Sequence, residues 1–157
     1  MRGYPGALPP SDGEGACRQL IDIGALTVTF ADVRPVGQTT DKYCHVRGSI
    51  QPGIRYHIDM PLPSKWNGRL IGIGDPGTDG IIFISNPSIQ KRVLEGYAVV
   101  NSNSGHDAAT EPGASFAYNN RQAEIDYGYR AVHTSTLAAK WILHVHYGRL
   151  PEYSYFD

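Results

Sequence analysis

The sequence predicts an α/β fold in which an antiparallel β lead-in feeds a parallel sheet. Three observations carry this. Between Leu26 and Met60, apolar and polar residues alternate with period two in three successive segments. Beyond Trp66 the order becomes strand, helix, strand, helix, strand, the pattern of a parallel sheet with crossover helices. The first two strands of that second half, around Leu70 and Val99, are continuous apolar runs, as strands covered on both faces are.

Each element has its own signal. Met1 to Gly15, rich in Gly and Pro, reads as a disordered lead-in, which leaves 16–157 as one folded domain. Ala16 to Ile23 reads as a short helix ended by Gly24. In the first strand, Leu26, Val28 and Phe30 alternate with Thr27, Thr29 and Ala31 before it ends at Val33. Gly37 to Asp41 is a polar turn, and Tyr43 to Ile50 is the second strand. In the third, Ile54, Tyr56, Ile58 and Met60 form the core face, and Arg55, His57 and Asp59 form a wet one. Pro61 and Pro63 end it.

The second half starts with an apolar run from Arg69 to Ile73, opening into a glycine-rich loop from Gly74 to Gly80. Asn86 and Pro87 supply the cap and first-turn proline of a helix that runs to Glu95 and is closed by Gly96. Tyr97 to Val100 is a buried strand, followed by a loop from Asn101 to Asn120. Gln122 to Tyr147 reads as helical, with Ile125, Tyr129, Val132, Ala139, Trp141 and Val145 on its apolar stripe. Gly128 is the point where it would divide, and Gly148 with Pro151 ends it. Tyr153 to Phe156 opens another strand, an unpaired apolar edge.

Composition narrows the function classes. The 157 residues suffice for one domain with a core, and 41% hydrophobic with 18% charged residues favours a folded chain. A net charge of -1 gives no reason to expect a nucleic acid or an anionic membrane as partner. No run approaches the roughly 20 apolar residues of a membrane span. The first residues lack an apolar stretch of the signal-peptide kind.

Chemistry belongs beyond the carboxyl ends of the parallel strands. Two loops stand there. Small residues in Gly74–Gly80 let backbone N–H groups approach an anion or oxyanion, although a tight turn would have the same composition. The loop lacks both the Walker pattern and the GxGxxG spacing, so no nucleotide cofactor is expected. The second loop, Asn101 to Asp107, gathers Ser102, Ser104, His106 and Asp107. These do not read as a triad, because triad partners converge from separate elements while neighbours in sequence diverge. His106 is expected to be a structural hydrogen-bonding residue. His133 is expected to pack on the sheet, His144 and His146 point to different faces of one helix, and His45 and His57 lie in lead-in strands. No metal site is expected from them. Cys17 and Cys44 permit one bridge or two buried thiols; neither lies in a CxxC pair.

Several segments then fall in an ordered series. They are Cys17-Arg-Gln-Leu, Tyr43-Cys44-His-Val-Arg-Gly48, Trp66-Asn-Gly-Arg-Leu70, the Gly74–Gly80 loop, Gly96-Tyr-Ala-Val-Val100 and Asn103-Ser-Gly-His106. Asp126-Tyr-Gly-Tyr-Arg-Ala-Val-His133, Ala138-Ala-Lys140, Tyr147-Gly148 and Tyr153-Ser-Tyr-Phe156 follow. From Cys17 onward the chain resembles the tannase and feruloyl esterase family of α/β hydrolases. The motifs are modest singly and specific in combination.

The resemblance implies an incomplete α/β-hydrolase fold. It also implies a secreted or periplasmic serine esterase acting on small-molecule esters of aromatic acids such as gallate or ferulate. In that family the strand matching Tyr153–Phe156 runs into a Gly-Cys-Ser-x-Gly-Gly nucleophile elbow, followed by a lid, the aspartate and the histidine. The sequence ends at Asp157, so Ser, Asp and His are expected beyond it and these residues alone would be inactive. The resemblance further implies a Cys17–Cys44 disulfide, and one oxyanion-hole N–H from the glycine-rich loop. This chain departs from the family's run of glycines with Asp75-Pro76. Proline has no N–H, which leaves Gly77 as the expected donor. The alternative from another class is a non-catalytic binding or assembly module of the same fold.

Overall fold

The computed structural model describes residues 13–20, 27–74, 77–83 and 86–157. The elements are α1 (Gly13–Gln19), β1 (Thr27–Pro35), β2 (Lys42–Ile50), β3 (Ile54–Pro61), β4 (Arg69–Gly72), α2 (Pro87–Leu94) and β5 (Ala98–Ser102). A 3-10 turn (Ser115–Ala117), α3 (Arg121–Ile125), a π-helical turn (Asp126–Arg130), α4 (Ala131–Tyr147) and β6 (Tyr153–Phe156) complete them. The expected strands and both helix stops are present. Residues 1–12 of the lead-in and the predicted end of the first helix lie outside the described residues.

The six strands form one sheet in the order β1-β2-β3-β5-β4-β6. β1, β2 and β3 pair antiparallel, and β3 also meets β5 antiparallel through Ile58 opposite Val100. β4 then pairs in parallel with β5 on one side and with β6 on the other. The predicted lead-in and parallel sheet are therefore one continuous layer.

The two faces have different cores. Cys44, Val46, Tyr56, Ile58, Met60, Leu70 and Val100 pack with Cys17 and Leu20 and with Ile142 and Leu143 of α4. On the other face Tyr43, Ile71 and Val99 pack with Ile89 and Val93 of α2. α2 starts as its sequence requires: Asn86 Oδ1 accepts from Ser88 N at 2.9 Å, and Pro87 follows the cap.

Cys17 and Cys44 are bridged, with Cα atoms 5.6 Å apart. The bridge closes a separation of 27 residues, worth about 3–4 kcal/mol in the chain-entropy account. It ties α1 to β2. α1 starts at Gly13, inside the segment expected to be disordered, and Glu14 pairs with Lys42 at 2.7 Å.

Three expectations need correction. In β1 the register shifts between Val28 and Phe30, so the core phase passes from Val28 to Ala31 and Phe30 turns to the opposite face. The expected wet face of β3 is not wet at Asp59, which is buried against His45. The stripe predicted on the last helix holds at Ala139 and Val145, which are buried, and is out of phase at its start. There Tyr129 and Val132 are exposed, while Ala131 and Ser135 are buried. The cause is the π turn: Ala131 N–H bonds to Asp126 O, five residues back. One extra residue per turn slips the face by about 100°. His133 consequently faces solvent and not the sheet.

Candidate functional site

The connection from β4 through α2 leads to β5, and the connection from β5 through α4 leads back past β4 to β6. The two helices cover opposite faces. The strand order therefore reverses between β4 and β6, and open α/β sheets bind ligands beyond the carboxyl ends at such a point. The backbone there is continuous: Asp157 N–H bonds Gly72 O at 2.9 Å, and Gly74 N–H bonds Asp157 O at 3.0 Å.

The glycine-rich loop leaves this point. Asp75 and Pro76 lie outside the described residues. Gly77 has φ of 74°, and a side chain there would meet nothing within 4 Å, so its backbone borders open space. Tyr127 Oη donates to Gly77 O at 3.4 Å. Farther along, Asp79 accepts from Ser104 Oγ and from Gly80 N, and Ala108 N–H bonds Gly80 O at 3.1 Å. The loop after β4 is thus fastened to the loop after β5.

Asn103 fixes that second loop. Its Oδ1 accepts from Arg55 N at 2.7 Å and Gly105 N at 3.2 Å. Its Nδ2 donates to Gly53 O at 3.1 Å and His106 O at 2.7 Å. Both lone pairs and both protons are in use, which an aspartate of the same shape could not match.

No local triad forms. Ser104 is engaged by Asp79, and Asp107 turns to Arg55 at 2.8 Å and to Ala109 N. The Ala109 N–H bond first, and then the Arg55 guanidinium, hold the Asp107 carboxyl below its ordinary value. His106 corrects an expectation: its side chain serves by packing. The ring lies 3.9 Å from Phe116 in a stack, and neither ring nitrogen has a hydrogen-bond partner among the described residues. Gly80 lacks a side chain at the point where a Cβ would strike this ring.

The sequence reading missed a buried polar cluster on the meander. His45 Nδ1 donates to Asp59 Oδ1 at 2.5 Å, and Arg47 Nε donates to His45 Nε2 at 3.1 Å. Because Nε2 accepts, the network assigns the ring proton to Nδ1. His57 lies 5.0 Å from His45 edge-on. Burial, with the nearby His45 and the Arg47, Arg34 and Arg55 guanidiniums, pushes its pKa down to about 3. A signal existed: the short turn between Ile50 and Ile54 sets the register, which places His45 opposite Asp59 and Arg47 opposite His57. On α4, burial takes His146 down to about 4. Among the described residues no three His, Cys, Asp or Glu side chains converge as metal ligands would, and no helix is long and apolar enough to cross a membrane.

Comparison with known proteins agrees with this geometry. A family model described as tannase and feruloyl esterase matches residues 35–157. A probable feruloyl esterase B-2 of Aspergillus flavus is 34% identical over 125 residues, 78% of this chain and 23% of the relative. A mono(2-hydroxyethyl) terephthalate hydrolase of Piscinibacter sakaiensis is 31% identical over 132 residues, 73% of this chain and 22% of the relative. The crystal structure of feruloyl esterase B from Aspergillus oryzae aligns with a TM-score of 0.72 at 21% identity, over 92% of this chain and 31% of that one. Tannin acyl hydrolase from Aspergillus niger aligns at 0.69 and 17% identity, over 96% and 33%. These two show a shared fold. The chain spans about a quarter of the curated relatives it matches and about a third of the solved ones. Its sequence matches and its sheet together place it plainly: the chain belongs to the tannase and feruloyl esterase family.

Proposed function

We propose that these residues form the amino-terminal part of a serine carboxylic ester hydrolase acting on esters of aromatic acids such as gallate or ferulate. The observation that carries this reading is the loop after β4, which leaves the sheet where the strand order reverses, beside the end of β6. In this reading the serine follows β6, with the aspartate and histidine later in the protein. The serine attacks the ester carbonyl, the histidine takes its proton, and the alcohol leaves to give an acyl-enzyme that water then hydrolyses. Gly77 N–H is the proposed donor from this chain to the tetrahedral oxyanion. Its positive φ and open surroundings support the choice, and one such donor is worth about 10²–10³ in rate. The role left to these residues alone is scaffold and half an oxyanion hole, without turnover. Export to an oxidising compartment belongs to the same proposal and is supported by the Cys17–Cys44 bridge.

The test reads the coding frame past Asp157 and assays its whole product on an activated aryl ester. A following Gly-Cys-Ser-x-Gly-Gly segment and hydrolysis above a heat-killed control are expected. A stop codon there with a stable, soluble product would overturn the reading in favour of a non-catalytic module.

A further inference from the structure

On the face of the meander that carries His45, a cleft of 740 Å³ opens between two unlike walls. Arg47, Arg55 and His57 line one wall, and Ile81, Ile82 and Ala108, from the loops after β4 and β5, line the other. The volume lies within the ordinary range for small-molecule sites.

The charges do not balance. Arg47 spends its Nε on His45 and lies over the Phe30 ring at 5.1 Å, with no ion pair to a carboxylate among the described residues. Arg55 is paired with Asp107 at 2.8 Å. The lining therefore holds two guanidiniums and one carboxylate, an excess of one positive charge. Beyond the lining, Arg34 stands over the same Phe30 ring at 5.6 Å, and Asp32 and Asp59, both opposite His45, offset it. His57 stands on the same wall, and its buried Nδ1 has no partner among the described residues; burial first, then His45 and the guanidiniums, lowers its pKa. Across the cleft Ile81 is 51% exposed, an apolar side chain left open beside the charge.

We propose that this cleft binds a monoanionic carboxylate with an apolar body. The carboxylate sits on Arg47 and Arg55, where planar guanidiniums match its two oxygens. The apolar body lies along Ile81 and Ile82. Neither statement depends on the esterase reading.

The test uses the product of the whole coding frame, titrated with benzoate, acetate, benzamide and sulfate by calorimetry and by NMR of the histidine ring protons. Saturable benzoate binding is expected, with acetate and sulfate roughly tenfold weaker for want of the apolar contact, and with no binding of uncharged benzamide. Arg55→Gln, at a half-exposed side chain, weakens benzoate roughly tenfold and leaves the thermal midpoint in place. Ile81→Ser weakens benzoate but not acetate. Bound benzoate moves the His57 titration upward, since a nearby anion favours the charged ring. No saturation by about 10 mM overturns the proposal. So does sulfate or acetate matching benzoate, or benzoate binding that ignores both substitutions.

Discussion

The meander is built from strands of 8 or 9 residues and the parallel edge from strands of 4 or 5, and the two are finished very differently. In β2 and β3 nearly every residue is buried or half-buried, α1 is bridged to β2, and a histidine–aspartate pair fills the far face. In β6 every residue is exposed, with Tyr153, Tyr155 and Phe156 presenting rings to solvent. The meander gains its order from contacts within the described residues. The parallel edge lies beside the proposed chemistry. Within these residues the best-covered strands and the strand next to the proposed site lie toward opposite ends of one sheet.

Substitutions test that contrast. Cys17→Ser should cost the most, about 3–4 kcal/mol, measured as a lower urea midpoint; an unchanged midpoint would mean that the bridge does not support the meander. Gly48→Ala comes next. A methyl there would overlap the ring of Tyr56, which is fully buried beneath it. The expected loss is about 2–3 kcal/mol, and a neutral result in thermal unfolding would show that the ring can move.

The third prediction concerns pH. His146 has a folded pKa of about 4 against an ordinary value of 6.5, through burial. The unfolded chain thus binds the extra proton first, and stability rises with pH across that interval. Acidification from pH 6.5 to pH 4 should progressively destabilise the protein, and His146→Leu should flatten that slope in midpoint-against-pH curves. A parallel slope in the variant would remove His146 from the account. The smallest effect belongs to the edge. Tyr153→Lys should change stability by less than about 0.5 kcal/mol while raising solubility, because charge on an edge strand opposes pairing between copies. A large loss would show that the edge is already covered.

Much of this architecture was legible in sequence. Alternation located the three antiparallel strands, the Asn86-Pro87 pair located α2, and continuous apolar runs identified the parallel strands. The bulge near Thr29 was not legible, because either phase of Val28, Phe30 and Ala31 is apolar. His45 and Asp59 looked like ordinary polar residues of a wet face, and only the cover on that face makes them a buried pair. The π turn was hidden for another reason. Asp126 is held by Gln122 at 2.8 Å and by Arg130 at 2.7 Å, while Arg130 also reaches Gln51 O at 2.8 Å. A contact 79 residues away leaves no periodic trace. At the site, sequence located both loops correctly but assigned His106 the wrong kind of work.

Gly105 carries a consequence beyond its own turn. A Cβ there would lie 2.4 Å from the Asp126 Cβ, and the φ of +89° at this position disfavours any side chain. The π turn can therefore approach the loop after β5 this closely only while position 105 stays glycine. At that distance Asp126 still accepts from Gln122 and Arg130. A bare stretch of backbone thus sets how near the start of the 17-residue α4 docks to the loop.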